Sequence, residues 1–169
     1  VIRWPVTSQL DFEGELAVVI GRGGRAIPES EALSRVFGYS VFNDVTARDL
    51  QHADRQWVRG KSLDTFGPMG PLITTADDVP DPQNLHLQTR VNGEIRQDAC
   101  TSEMAFSVAR IVAHVSEAIT LCPGDIITTG TPAGVGLFCK PPRFLVPGDC
   151  VEITIEGLGT LHNAVAAPS

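Results

Sequence analysis

The sequence lacks the features that mark membrane, secreted and nucleic-acid-binding proteins. No apolar run approaches the ~18 residues that a membrane span needs, and no signal peptide opens the chain. Basic residues are scarce, with 13 Lys and Arg against 20 Asp and Glu, and the resulting net charge of −7 disfavours nucleic acid and anionic membranes as partners. We therefore expect a cytoplasmic protein with neither kind of partner.

Cysteine is also sparse, and its spacing excludes the common metal and redox motifs. The four cysteines are Cys100, Cys122, Cys139 and Cys150. No two of them are close enough along the chain for a zinc knuckle or a redox pair. We expect reduced thiols that pack as small apolar residues.

Glycine and proline, in contrast, are plentiful and indicate a turn-rich chain. The 16 Gly and 12 Pro separate short β-branched runs, which is typical of a mainly β protein with a few short helices. The length of 169 residues fits a single domain over 1–169, which can bury roughly 70% of its unfolded surface. Because Val1–Pro5 enters almost directly into a strand without an initiator Met, we expect the N-terminal segment of a longer protein to be missing.

Alternating and continuous apolar runs predict eight strands. Asn92-Gly93 separates two of them and is a strong signal for a two-residue hairpin turn. Residues 151–156 alternate apolar and polar side chains, as a half-buried strand does. The predicted strands are residues 15–20, 39–45, 70–75, 85–91, 94–97, 125–129, 150–156 and 159–165.

Two helices are predicted. Residues 102–118 place apolar side chains at 3.6-residue spacing, and Thr101 or Ser102 is the expected N-cap. A shorter helix is expected over 29–36, directly after Pro28. We interpret both apolar faces as parts of the core and not as binding surfaces.

The most informative stretch is an apolar segment that opens with two glutamates, Glu13 and Glu15. In an extended strand, side chains at i and i+2 point to the same face, about 7 Å apart. Burial and mutual repulsion both disfavour two charged carboxylates in such a place. A hard divalent cation is the obvious partner, although two exposed acids on a strand edge would show the same pattern.

Two further segments place charged residues after an apolar strand or in a Gly-bounded loop, where binding residues tend to lie. Residues 43–51 contain Asp44, a candidate third ligand that could instead be a turn residue or the cap of a helix over 45–50. Residues 60–68 contain Lys61, which alone would be an ordinary surface lysine. Three carboxylates would fill half of an octahedron and leave the other half for a chelating substrate and one water.

Four segments together resemble the fumarylacetoacetate hydrolase family. Residues 11–21 look like its metal-binding strand, residues 38–49 resemble its second signature, and residues 60–66 and 129–136 match two more. The similarity extends from about residue 5 to residue 165. It implies irregular mixed β-sheets rolled into a barrel-like core, a homodimer, and a bound Mg²⁺, Mn²⁺ or Ca²⁺.

The same resemblance assigns a role to individual residues around the metal. Glu13, Glu15 and Asp44 correspond to the family's metal-binding carboxylates. Lys61 corresponds to its active-site lysine, which lies near the metal and near the carboxylate or enolate of the substrate. All four residues belong to the segments that charge and burial had already singled out.

Four other positions match residues that bind substrate in the family. Arg48 and Gln51 fall where family members contact the substrate. Gly130 and Thr131 fall where a loop hydroxyl and backbone amides hold the substrate's carboxylate, as anion-binding nests do. The resemblance therefore implies a small-molecule 2-oxo acid as the ligand of these groups.

The reaction expected from this resemblance is hydrolysis of a C–C bond in an acylpyruvate such as fumarylpyruvate, through a metal-chelated enolate. Decarboxylation or isomerisation of a 2-hydroxy- or 2-oxo-diene-dioate in aromatic degradation is the alternative. Hydrolytic members also activate water with a His and a Glu from an upstream segment that this chain lacks, and His52 beside Gln51 does not match that pair. A catalytically silent metal-binding scaffold subunit is the alternative from another class.

Overall fold

A computed structural model of the chain describes residues 2–3 and 7–167, in which eleven strands alternate with short helices. The strands are β1 (Ile2–Arg3), β2 (Leu10–Asp11), β3 (Gly14–Ile20), β4 (Val36–Asn43), β5 (Thr46–Ala47), β6 (Met69–Thr75), β7 (His86–Val91), β8 (Glu94–Cys100), β9 (Ile126–Thr128), β10 (Cys150–Ile155) and β11 (Gly159–Ala166). The α-helices are α1 (Glu29–Ala32), α2 (Arg48–Asp54), α3 (Trp57–Lys61) and α4 (Val108–Ala118). Of the opening segment Val1–Pro5, only Ile2 and Arg3 lie within the described residues.

These strands form two larger sheets and one small one. A five-stranded sheet has the order β1-β11-β10-β7-β8, and a four-stranded sheet has the order β6-β4-β3-β9. Strands β2 and β5 form a separate two-stranded pair. The β1–β11 pair is parallel and the other named pairs are antiparallel. The expectation of a mainly β fold with mixed sheets and short helices is confirmed.

The two larger sheets share one hydrophobic core. Leu16 and Val18 of β3 belong to the same buried cluster as Ile153 and Ile155 of β10. The sheets are in close contact at Gly14, where an added Cβ would lie 3.2 Å from the Ile153 side chain and only 2.4 Å from the Thr89 hydroxyl oxygen. A glycine is therefore needed at this point of β3.

Several strand predictions hold in detail. Asn92 and Gly93 both have positive φ, 53° and 82°, and connect β7 to β8 as the two-residue turn required. Along β10 every second residue is buried, as the alternation predicts. Strand β4 differs from the prediction, because it covers 36–43 and not 39–45: it pairs along β3 from Asn43 back to Val36.

Both predicted helices are shorter than expected. Helix α4 begins at Val108, where the Ser107 hydroxyl accepts a hydrogen bond from the Arg110 amide (3.1 Å) and acts as the cap in place of Thr101 or Ser102. Residues 101–103 form a 3₁₀ turn, because the amide and hydroxyl of Thr101 both bond to the backbone of Leu85, at 2.9 Å each. The helix expected over 29–36 ends at Ala32, and a 3₁₀ turn and the start of β4 follow it.

Helix α3 is absent from the sequence-based predictions, and α2 overlaps only the alternative helix over 45–50. Helix α2 begins at Arg48 with Ala47 at its N-cap, so the interpretation of Asp44 as the cap of a helix over 45–50 is wrong. Both helices are short and carry few apolar residues. They therefore lack the apolar periodicity from which a helix is predicted. In the part of the chain that the structure describes, no helix is both long and apolar enough to cross a membrane.

Candidate metal centre

The hairpin of β3 and β4 brings the three predicted metal-binding acids together. Gly14 is paired with Asn43, so Glu13 and Asp44 flank the same end of the hairpin, and the Asp44 amide donates to the Glu13 carbonyl at 2.9 Å. The Asn43 side chain accepts from the Glu13 amide at 3.2 Å and fixes the same corner. Carboxylate oxygens of Glu13, Glu15 and Asp44 all lie within 4.8 Å of one another.

Lys61 lies against two of these acids. Its Nζ donates to Glu13 Oε2 at 2.9 Å, to Asp44 Oδ2 at hydrogen-bond distance, and to the Thr46 hydroxyl at 3.0 Å. Gly60 makes this position possible, since a Cβ there would lie 2.9 Å from the backbone nitrogen of Gln51 and push α3 away from α2. The structure therefore places Lys61 in the cluster, as the resemblance implies.

Arg48 and Gln51 lie behind the acid cluster, in the protein interior. Both are buried, and Arg48 Nη1 donates to Gln51 Oε1 at 3.2 Å. Arg48 Nη2 bridges Asp11 Oδ2 (2.9 Å) and Glu13 Oε1 (2.6 Å). Each oxygen of Glu13 thus faces one cation, Arg48 or Lys61. In this arrangement Arg48 supports a carboxylate of the cluster, and its contact with a substrate stays a prediction.

Asp11 is a buried acid to which the sequence analysis assigns no role. Its carboxylate accepts from Arg48 Nε at 2.9 Å and from the amides of Gly136 and Leu137 at 2.8 and 3.0 Å. It thereby ties β2 to the turn at 136–138 and holds Arg48 against Glu13. An acid between two buried apolar neighbours, Leu10 and Phe12, was the available signal, because such a charge needs partners.

The loop after β9 is turned towards β3. The Gly130 amide donates to Glu15 Oε2 at 2.8 Å, and the Thr131 hydroxyl donates to the Gly14 carbonyl at 2.9 Å. The donors expected to hold a substrate carboxylate are thus bonded to the strand that carries the acids. A cavity of about 370 Å³ is lined by residues 129–133 and by Leu16, the neighbour of Glu15, but by none of the three acids.

Burial and the concentration of charge shift the proton affinities of the cluster. Burial raises the pKa of Glu15 to about 7, helped by the charges of Asp44 and Glu13 and opposed by the Gly130 hydrogen bond. Burial also raises the pKa of Asp44, against the hydrogen bond from Lys61. For Lys61 burial acts downwards, but its hydrogen bonds to Asp44 and Glu13 prevail and raise its pKa.

The donor set fits a hard divalent cation. All three candidate ligands are carboxylates, the ligand type that Mg²⁺, Mn²⁺ and Ca²⁺ prefer. Burial, together with the charges of Asp44 and Glu13, raises the pKa of Glu15. A bound cation would offset these effects, and would share Glu13 and Asp44 with the Lys61 ammonium. The four histidines, His52, His86, His114 and His162, are all exposed.

Comparison with known proteins identifies the family. A profile described as fumarylacetoacetate (FAA) hydrolase, C-terminal, matches residues 1–166. The chain belongs to this family. The predicted resemblance is confirmed, and the family relationship covers both larger sheets, the hairpin of β3 and β4, and the loop after β9.

Relatives within the fumarylacetoacetate hydrolase family carry several enzyme names. The chain is 51% identical over 160 residues to the oxaloacetate tautomerase YisK of Bacillus subtilis, covering 95% of this chain and 53% of that protein. The crystal structure of 2-hydroxyhepta-2,4-diene-1,7-dioate isomerase from Mycobacterium marinum superposes with a TM-score of 0.90 at 49% identity, covering 98% and 62% of the two chains.

A third family member is known with ligands. Fumarylpyruvate hydrolase from Pseudomonas aeruginosa, in complex with Mn²⁺ and pyruvate, superposes with a TM-score of 0.90 at 35% identity, covering 98% of this chain and 70% of that one. The chain spans about half the length of the curated relatives it matches. The matched regions cover 95% to 98% of this chain.

Proposed function

We propose that the chain is the catalytic domain of a divalent-metal-dependent enzyme that acts on a 2-oxo acid or acylpyruvate through its enolate. The observation that carries this proposal is the convergence of Glu13, Glu15 and Asp44 within 4.8 Å, with Lys61 against two of them. Mn²⁺ and pyruvate in the related fumarylpyruvate hydrolase support both the kind of ion and the kind of ligand.

The residues of the cluster have two roles: the acids would bind the ion, and Lys61 and Arg48 supply positive charge. Glu13, Glu15 and Asp44 would hold Mg²⁺, Mn²⁺ or Ca²⁺, which, when bound, polarises the adjacent oxygens of a 2-oxo acid. The Lys61 ammonium is kept charged by its acidic neighbours and supplies positive charge to a developing enolate. Arg48, held by Asp11, pairs with the Glu13 carboxylate and orients it.

Two outcomes of the enolate are candidates. Hydrolysis of a C–C bond, as in fumarylpyruvate hydrolase, requires an activated water in addition to the cluster. Tautomerisation or isomerisation requires only that a proton leaves one carbon or oxygen and returns to another. Sequence identity favours neither outcome, because a tautomerase at 51%, an isomerase at 49% and a fumarylacetoacetate hydrolase at 53% are about equally similar to this chain.

A spectroscopic screen tests the proposal. The protein is assayed by ultraviolet absorption with oxaloacetate, acylpyruvates and diene-dioates, first with Mg²⁺ or Mn²⁺ and then with excess chelator. Chelator-sensitive turnover of at least one 2-oxo acid is expected, and product analysis separates cleavage from tautomerisation or decarboxylation. Absence of chelator-sensitive turnover with every substrate would favour the silent scaffold subunit instead.

We further propose that the protein works as a homodimer. Three large apolar side chains on the neighbouring strands β4 and β6 are exposed, namely Phe37 (52%), Leu72 (53%) and Ile73 (40%). Apolar groups at a sheet edge favour association with another chain. Light scattering coupled to size exclusion should give twice the chain mass, and a monomer at all concentrations would contradict the proposal.

A further inference from the structure

Gln97 of β8 reaches from one sheet to the other and bonds to the peptide between the two glutamates. Its side chain is 1% exposed, and Oε1 accepts from the Gly14 amide at 3.0 Å. Its Nε2 donates to the Thr131 hydroxyl at 2.7 Å and to the Pro132 carbonyl at 2.9 Å. One amide group therefore contacts both the acid-bearing strand and the loop after β9.

These bonds close a ring around Gly14. The Gly14 amide is held by Gln97, and the Gly14 carbonyl accepts from the Thr131 hydroxyl, which in turn accepts from Gln97. The preceding loop residue, Gly130, donates its amide to the Glu15 carboxylate. The residue between Glu13 and Glu15 is thus held at both its amide and its carbonyl.

The chemistry of this ring requires a glutamine. The position needs one acceptor for the Gly14 amide and donors for Thr131 and Pro132, and a neutral primary amide offers both. A glutamate supplies the acceptor but no donor when ionised, and a methionine supplies neither. No extra side-chain atom fits at Gly14 itself, where a Cβ would lie 2.4 Å from the Thr89 hydroxyl oxygen.

We propose that Gln97 is a positioning residue for the cation site: it sets the spacing of Glu13 and Glu15 and holds the loop whose amide binds Glu15. This inference rests on the proposed function, because it assumes that the acids hold an ion. Groups that orient metal ligands from behind typically change metal affinity by 10–100-fold when they are replaced.

The test measures Mn²⁺ affinity by electron paramagnetic resonance for the full chain carrying Gln97→Met or Gln97→Glu. Gln88→Met is the matched control, since Gln88 lies on the adjacent strand β7 and its side chain bonds, among the described residues, to Asp98 and Arg90 and not to the acid cluster. Both Gln97 variants should bind Mn²⁺ about 10–100-fold more weakly at a temperature where each is folded, and the control should not change.

The outcomes separate this inference from the proposed function. A wild-type chain that fails to bind Mn²⁺ overturns the proposed function, and with it the site that Gln97 would serve. A wild-type chain that binds Mn²⁺, with unchanged affinity in a folded Gln97 variant, overturns the positioning role alone. A lower melting temperature with chelator present, at unchanged affinity, counts as the same refutation.

A measurement on the wild-type chain covers the case in which neither variant folds. Titration with Mg²⁺ should shift the nuclear magnetic resonance signals of the Gln97 side-chain amide and of the Gly14 backbone amide. The side-chain amide of Gln88 serves as the internal reference and should not move. Saturating Mg²⁺ without any shift at Gln97 overturns the positioning role.

Discussion

The N-terminal and C-terminal halves of strand β3 are equally buried, yet their surroundings are opposite. The C-terminal half, Val18–Ile20, packs apolar side chains into the core between the sheets. The N-terminal end carries Glu13 and Glu15 among Asp44, Lys61 and Arg48. In the first case burial itself stabilises the fold. In the second it opposes the charged form, and only partners recover the loss.

The largest expected effect comes from removing a ligand of the acidic end. Asp44→Ala should abolish metal-dependent turnover, because two carboxylates cannot complete the site, while the fold persists or even gains stability in the metal-free state as repulsion is relieved. Turnover of a 2-oxo acid and melting with chelator measure the two effects. Asp77→Ala, an exposed acid in a surface turn, is the control. Wild-type rates in Asp44→Ala would remove this residue from the ligand set.

The apolar end should respond in the reverse manner. Ile20→Ala leaves a cavity in the core and should lower the free energy of unfolding by about 3 kcal/mol. Ile20 is 1% exposed and lies at the far end of the strand from the acids, so Mn²⁺ affinity of the folded protein should stay unchanged. Urea unfolding and Mn²⁺ titration test this pair of outcomes. A large loss of affinity would show that the two ends are coupled.

Lys61→Ala tests the role of the Lys61 ammonium group at the acidic end of the strand. Loss of one charge-stabilising group typically lowers kcat by on the order of 10²-fold. Lys140→Ala is the matched control, since Lys140 is the only other lysine and is exposed. Steady-state kinetics decide the outcome. A change confined to KM would mean that Lys61 only binds substrate.

The smallest effect concerns pH and the buried Glu15. Its pKa is raised to about 7 from 4.5, so the folded state holds a proton that the unfolded state has released between these values. Stability of the metal-free protein should therefore fall as pH rises from about 4.5 to 7, by on the order of 2 kcal/mol, and level off above that range.

Glu15→Gln isolates this contribution. Urea unfolding with chelator, measured from pH 4.5 to 8, should show a shallower decline in the variant than in the wild type. Saturating Mn²⁺ should oppose the decline in the wild type, because metal binding requires the deprotonated carboxylate. Parallel curves for the two proteins would contradict the raised pKa.

Much of the sheet structure could be predicted from the sequence, because it depends on local patterns. Alternation along β10, and the turn at Asn92-Gly93, each fix their own backbone geometry. The start of α4 could not be predicted, since the pairing of Thr101 with Leu85 is a contact across 16 residues. The bounds of α2 and α3 could not be predicted for a related reason. Their positions depend on the close packing of Gly60 against Gln51, which is a tertiary contact.

The candidate site divides in the same way. The same-face placement of Glu13 and Glu15 follows from strand periodicity. Asp44 and Lys61 lie in segments that the sequence pattern indicates, the resemblance assigns their roles, and the structure brings both alongside. The partners of Arg48 and the orientation of the loop at Gly130 depend on how distant segments meet. A buried acid such as Asp11 leaves a local signal, but its partners Gly136 and Leu137 lie 125 residues or more away along the chain.

The hairpin of β3 and β4 has the acids at one end and the connecting segment at the other. Its open end holds Glu13 and Asp44, and its closed end is the 21–35 segment, beyond the Ile20–Val36 pair. A seven-residue strand spans roughly 20 Å, so a change at an exposed position of that segment, such as Ser30, lies far from the acids and leaves them in register. Ile27 and Ala32 of the same segment are packed in the core, so an insertion is tolerated only where it leaves these two side chains in place.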